Sequence, residues 1–127
     1  MRSDAFRKAA EAKDFSAADH LFAEDATFRS PVVFRPYEGR DQIKVILGAV
    51  VQVFEDFRYL EHVETGDVAV LLFAARVGDR ELQGVDILKL DSEGRIVELT
   101  VMIRPMSGLQ ALGERMRQML EAASSSA

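Results

Sequence analysis

Ile43, Ile46, Leu47, Val50, Val51 and Phe54 recur along one segment of the chain. That i, i+3, i+4, i+7, i+8, i+11 spacing is one face of an α-helix. Asp41 falls in its first turn, where a negative charge suits the helix dipole. From Arg58 the period changes to two. Four strand-like runs follow, about Arg58–Val63, Val68–Val77, Arg80–Leu90 and Ile96–Arg104. Thr65-Gly66-Asp67, Gly78-Asp79 and Ser92-Glu93-Gly94 separate them, and such short turns between long strands predict an antiparallel meander. After Pro105, Leu109, Leu112, Met116, Met119 and Leu120 form the stripe of a last helix, with Ser107 as its expected cap. Residues 122–127 read as a disordered tail. Upstream, Ser3–Lys13 is helix-prone, and Ser16 opens a second short helix with Asp19 three residues on and Leu21 and Phe22 as its apolar face. Ala26–Ser30 reads as a short strand ended by Pro31, and Pro31–Gly39 as an extended loop or edge strand.

The order is helices, strand, helix, meander, helix. It predicts an α+β fold, a cone-shaped curved antiparallel sheet wrapped by three to four helices around a pocket. One domain is expected over residues 1–121. The chain has 127 residues, enough for a core without disulfides or metal. Its net charge of −5 gives no footprint for nucleic acid. There is no Cys, which removes thiolate catalysis and cysteine zinc sites together. The longest apolar run, Val68–Ala75, is strand-sized, and no secretory leader is read at the N-terminus, so no membrane role and a cytoplasmic location are expected.

Nucleotide-binding loops and the nucleophile elbow are absent from the sequence, so no nucleotide cofactor is expected. His20 and His62 are far apart and share no metal-binding motif, so no metal is expected. His20 reads as solvent-facing. His62 reads either as a half-exposed sheet residue or as a catalytic base. One residue breaks the pattern. In the third meander strand one face carries Leu82, Gly84, Asp86, Leu88 and Leu90. Asp86 is a carboxylate among leucines, so it must be paired, protonated or open to a wet cavity. Either it meets an Arg and only fixes local structure, or it points into a pocket and exchanges a proton or hydrogen bond.

Several segments together resemble the nuclear transport factor 2-like superfamily in its SnoaL-like branch. They are Lys13-Asp14-Phe15, Phe22 to Phe28 with Ser30-Pro31, Gly39-Arg40, Gly84-Val85-Asp86 and Gly94 to Leu99. The resemblance implies a cone-shaped, cystatin-like α+β fold with a deep pocket, often dimeric. The family includes isomerases, polyketide cyclases, epoxide hydrolases, dehydratases and proteins without catalysis, so it implies no single activity. Steroid isomerases of this fold place an Asp base just before the Pro that ends the first strand, where this chain has Ser30. They place a Tyr donor in the first helix, where it has Phe6. Their second donor, a protonated Asp on the sheet, matches Asp86, and that arrangement is a known example of a carboxylic acid kept neutral by an apolar site. The epoxide hydrolases' Arg and second Asp correspond to Gly84 and Val101.

The expected site is therefore a small-molecule pocket lined by Phe28, Ser30, Leu71, Phe73, Leu88, Leu99, Val101 and Ile103, with Asp86 as acid or base. Tyr59 and His62, or else Tyr37 or Arg58, are the candidates for a second group. The alternative is a non-catalytic dimeric module that binds a ligand or a partner. A homodimer is expected through the convex face of the sheet, where Val70, Leu72, Val85, Ile87 and Met102 form an apolar centre inside a rim of Gln83, Lys89, Glu98 and Arg104.

Overall fold

The structure is a computed structural model that describes residues 1–125. Two short helices lead in, α1 (Asp4–Glu11) and α2 (Ala18–Leu21). Strand β1 (Phe22–Arg29) and the two-residue β2 (Tyr37–Glu38) precede α3 (Arg40–Val53). The meander follows as β3 (Glu55–Thr65), β4 (Val68–Val77), β5 (Arg80–Leu90) and β6 (Ile96–Arg104). Helix α4 (Met106–Ser125) ends the described chain. Its last turn reaches into the expected tail 122–127, of which residues 126 and 127 lie outside the described residues.

All six strands form one curved, unclosed sheet in the order β2-β1-β6-β5-β4-β3. The meander pairs are antiparallel, with β4 and β5 in unbroken register, and Asp86 lies opposite Leu71 on one side and Val101 on the other. One pair departs from the expected antiparallel sheet: β1 runs parallel to β6, with Phe28 opposite Leu99. A parallel neighbour needs a long connection, and here α3 and four strands supply it. Strand β1 also starts earlier than its polar middle, Glu24-Asp25, suggested. Phe22 is not the apolar face of α2 but the first strand residue, fully buried opposite Ile96.

The sheet bends where β3 breaks register. Irregularities fall between Glu55 and Arg58 and again between Tyr59 and Glu61. At the first, Asp56 has φ +54°, and Arg76 of β4 holds it through Asp56 Oδ2 at 2.7 Å and Glu55 Oε2 at 2.5 Å. An extra residue in one strand increases local twist and bends it. The second irregularity puts Tyr59 and His62 on the same inner face, although three residues apart would normally oppose them.

Helices α1, α3 and α4 cover the concave side. Ile43, Leu47 and Val51 of α3 are buried in one cluster with Phe22, Phe28, Leu71, Leu88 and Leu99. Leu112 of α4 joins a second with Val53, Phe54, Phe73, Val77 and Leu82. Ser107 does not cap α4. The helix begins one residue earlier, so Ser107 lies inside its first turn, and the Leu109 amide bonds the Pro105 carbonyl at 3.0 Å. No helix among the described residues is long and apolar enough to cross a membrane.

Candidate functional site

The inner strand faces and the helices enclose a cavity of about 70 Å³. The sheet contributes Phe28, Phe57, Tyr59, Phe73, Asp86, Val101 and Ile103. Phe6 and Ala10 come from α1, Ile46, Leu47, Val50 and Val51 from α3, and Leu112 and Met116 from α4. Ser30, Pro31 and Val32 form part of the wall after β1. The aromatic rings pack on one another. Phe57 meets Tyr59 edge-on with centroids 4.9 Å apart and lies 5.1 Å from Phe73.

Asp86 sits in this wall, 6% exposed. Its strand neighbours are Leu71 and Val101. The Tyr59 hydroxyl donates to Asp86 Oδ2 at 2.9 Å, and Asp86 makes no ion pair among the described residues. Burial pushes its carboxyl up to about 7, while the Tyr59 hydrogen bond favours the charged form and opposes the rise. Burial, and then the neighbouring Asp86 carboxylate, raises the Tyr59 phenol above its ordinary value, so it remains protonated and a donor. The result is a carboxyl that titrates near neutrality beside a fixed phenolic donor, in a surround that is otherwise apolar apart from Ser30. Such a group gives or takes a proton at little cost at neutral pH.

Of the expected wall residues, Phe28, Ser30, Phe73, Val101 and Ile103 line the cavity. Leu71, Leu88 and Leu99 do not. All three are fully buried in the core cluster behind it, because α3 and Phe22 pack over that part of the sheet. Tyr59 meets Asp86 directly. His62 does not reach the cavity, although its side chain is only 3% exposed. It faces α1, with Nε2 at 2.7 Å from Ser3 Oγ and Nδ1 at 3.5 Å from Arg7 Nη1. Tyr37 stacks on Phe28 at 6.0 Å, and Arg58 donates to the Asp56 carbonyl at 3.0 Å. Ser30 Oγ accepts the Val32 amide at 3.0 Å, a local turn contact. The sequence reading missed the helical half of the wall and Phe57. Alternation of Phe57 with Tyr59 was the available signal, but the adjacent break in β3 register hid which face they share.

A curved α+β sheet closed by helices over a buried acid defines the class, a cystatin-like cone with an internal cavity. The chain belongs to the SnoaL-like domain family, whose model matches residues 4–99. It is similar to a solved steroid delta-isomerase from Pseudomonas aeruginosa, at 43% identity and TM-score 0.94, over 98% of this chain and 92% of that one. It is also similar to an uncharacterised bacterial protein with a cystatin-like fold from Silicibacter pomeroyi, at 31% identity and TM-score 0.88, over 93% and 84% of the two chains. An NTF2-like protein of unknown function from Mesorhizobium loti shares the fold at 21% identity and TM-score 0.73, over 82% and 88%. No curated protein matches the chain.

Proposed function

We propose that this protein binds a small, mostly apolar organic molecule in the cone and that Asp86 exchanges a proton with it. The observation that carries the reading is a buried carboxyl whose one side-chain hydrogen-bond partner among the described residues is Tyr59, set in the wall of an apolar cavity. A ligand with one carbonyl or hydroxyl group fits that polarity. Protonated Asp86 donates a hydrogen bond to a ligand oxygen and holds it without turnover; turnover runs through the charged form. The carboxylate takes a proton from an acidic carbon and returns it to a neighbouring one, the balance of an isomerisation. Proton transfer of this kind needs no cofactor. The similar Pseudomonas aeruginosa protein is named for a steroid isomerisation, which supports this reaction class.

A second reading has its own observation. The cavity holds one acid, and Phe6 and Ser30 contribute a hydrocarbon and an already engaged hydroxyl. Such a site also suits binding without turnover. Incubation in D₂O with a set of small α,β-unsaturated ketones separates the two. Deuterium uptake by the wild type that is lost in Asp86→Asn, with binding retained, supports the enzyme. Binding without exchange in both proteins supports the module. An Asp86 that titrates near the ordinary value of about 3.9 removes the acid–base reading.

A further inference from the structure

The polar side chains of α1 have no part in the reading above, yet they converge on its donor. Ser3, 1% exposed, donates its hydroxyl to Glu64 Oε1 at 2.6 Å and its amide to the same oxygen at 2.9 Å. A hydroxyl carries one hydrogen, so His62 Nε2 donates in the 2.7 Å contact with Ser3 Oγ. In the neutral ring His62 Nδ1 is then an acceptor, and it faces Arg7 Nη1 at 3.5 Å. Arg7 Nε lies 3.5 Å from Glu11 Oε1. The guanidinium carbon stands over the Tyr59 ring, 5.4 Å from its centroid.

We infer that Arg7 is a positioning residue for the acid pair: anchored by Glu11 and His62, its guanidinium fixes the Tyr59 ring so that the hydroxyl lands on Asp86. This rests on the acid–base role proposed for Asp86. A cation over an aromatic face attracts the ring and limits its tilt. A positive charge beside a phenol also makes its O–H a stronger donor. The facing groups are few. Asp86 meets Tyr59 from β3; Tyr59 meets Arg7 of α1, beside which lie Glu11 and His62, the latter 4.0 Å from Asp4 Oδ1; the cavity-lining residues of α3 and α4 are apolar. Tyr59 lies against both groups, with Arg7 over its ring and Asp86 at its hydroxyl, and this is the route by which Arg7 acts on Asp86.

The test is a carbon-detected NMR titration of the Asp86 carboxyl in single and double variants. Tyr59→Phe is expected to raise the midpoint by about one pH unit, since a hydrogen bond to the charged form is lost. Arg7→Met is expected to raise it by about half a unit, with little further change when added to Tyr59→Phe. Arg7→Lys keeps the charge but not the planar stacking and is expected to fall between wild type and Arg7→Met. If Arg7→Met does not fold, the Lys variant carries the same comparison. A raised wild-type midpoint that no Arg7 variant moves overturns the inference and leaves the Asp86 reading intact. An equal shift from Arg7→Met in the Tyr59→Phe background also overturns it, because the charge then acts directly. A wild-type midpoint near 3.9 removes the underlying reading instead.

Discussion

At Asp86 the cost of burial has a direction in pH. Its folded value of about 7 lies above the ordinary carboxyl value of 3.8. Between the two, the native state holds a proton that the unfolded chain has released, so this group lowers stability as pH rises through that window. The full difference is on the order of 4 kcal/mol. Depressed carboxyls such as Glu64, held by Ser3, and Glu98, held by Arg29, act oppositely and lose their contribution as pH falls. The comparison with Asp86→Asn cancels them. Denaturant unfolding from pH 4 to pH 8 is expected to show the variant gaining on the wild type as pH rises; a constant difference would mean Asp86 is charged throughout. Gly84 is fixed by a neighbour rather than by its own backbone. It lies opposite Phe73 in register, and a Cβ there would collide with the Phe73 ring and approach the Met102 carbonyl to 2.9 Å. Gly84→Ala is expected to cost about 1–3 kcal/mol by denaturant unfolding and to push the Phe73 ring into the cavity. Asp86 stood out in the sequence because a charge broke a leucine face. Leu71, Leu88 and Leu99 share that face and are equally apolar, and nothing in alternation separates the part of a face under a helix from the part beside a void.

The elements were legible where the period was long and clean. Three of the four meander strands, β4, β5 and β6, match the residues read from alternation, while β3 runs Glu55–Thr65 rather than Arg58–Val63; α3 carries its stripe from Ile43 to Val51, and Phe54, the expected last member, lies just past the helix. The parallel partnership of β1 was not legible, since pairing between strands so distant in sequence leaves no local trace. Nor was the way α4 and the loop after β1 close the cavity. At Gly113 a Cβ would come to 3.3 Å from Val32 Cγ1, so the glycine lets helix and loop approach closely. The enclosed space of about 70 Å³ is about half the roughly 150 Å³ in which benzene is known to fit. A ligand of that size therefore requires the walls to part, and Val32 and α4 form the seam. The chain has no cysteine, so a Val32→Cys, Gly113→Cys pair gives a clean lock. Oxidation is expected to slow uptake of a small aromatic probe by at least about tenfold, and reduction to restore it, read by stopped-flow fluorescence. Uptake indifferent to oxidation would place the way in elsewhere.

On the whole molecule, the outer face of the sheet has no element over it among the described residues. Helix α4 packs with Phe73, Leu82 and Val77 on the inner side. Outside, Val63, Val70 and Ile87 lie in one cross-strand row and Leu72, Val85 and Met102 in the next. Val63 and Met102 are 61% and 57% exposed. The rim is polar and paired: Lys89 and Arg29 both meet Glu98, at 3.1 and 2.6 Å, and Arg104 donates to Gln83 at 3.0 Å. An apolar centre inside a polar rim favours a partner that brings the same surface, and a second copy related by a two-fold axis does so. The whole-molecule expectation is thus a homodimer through this face, with light scattering at micromolar concentration giving twice the mass of 14.1 kDa. Met102→Glu and Leu72→Glu each place two like charges at the apolar centre of the pair and are expected to weaken it at least about tenfold while leaving the Asp86 titration unmoved. A monomer mass for the wild type would overturn the dimer. A dimer indifferent to both substitutions would move the interface off this face.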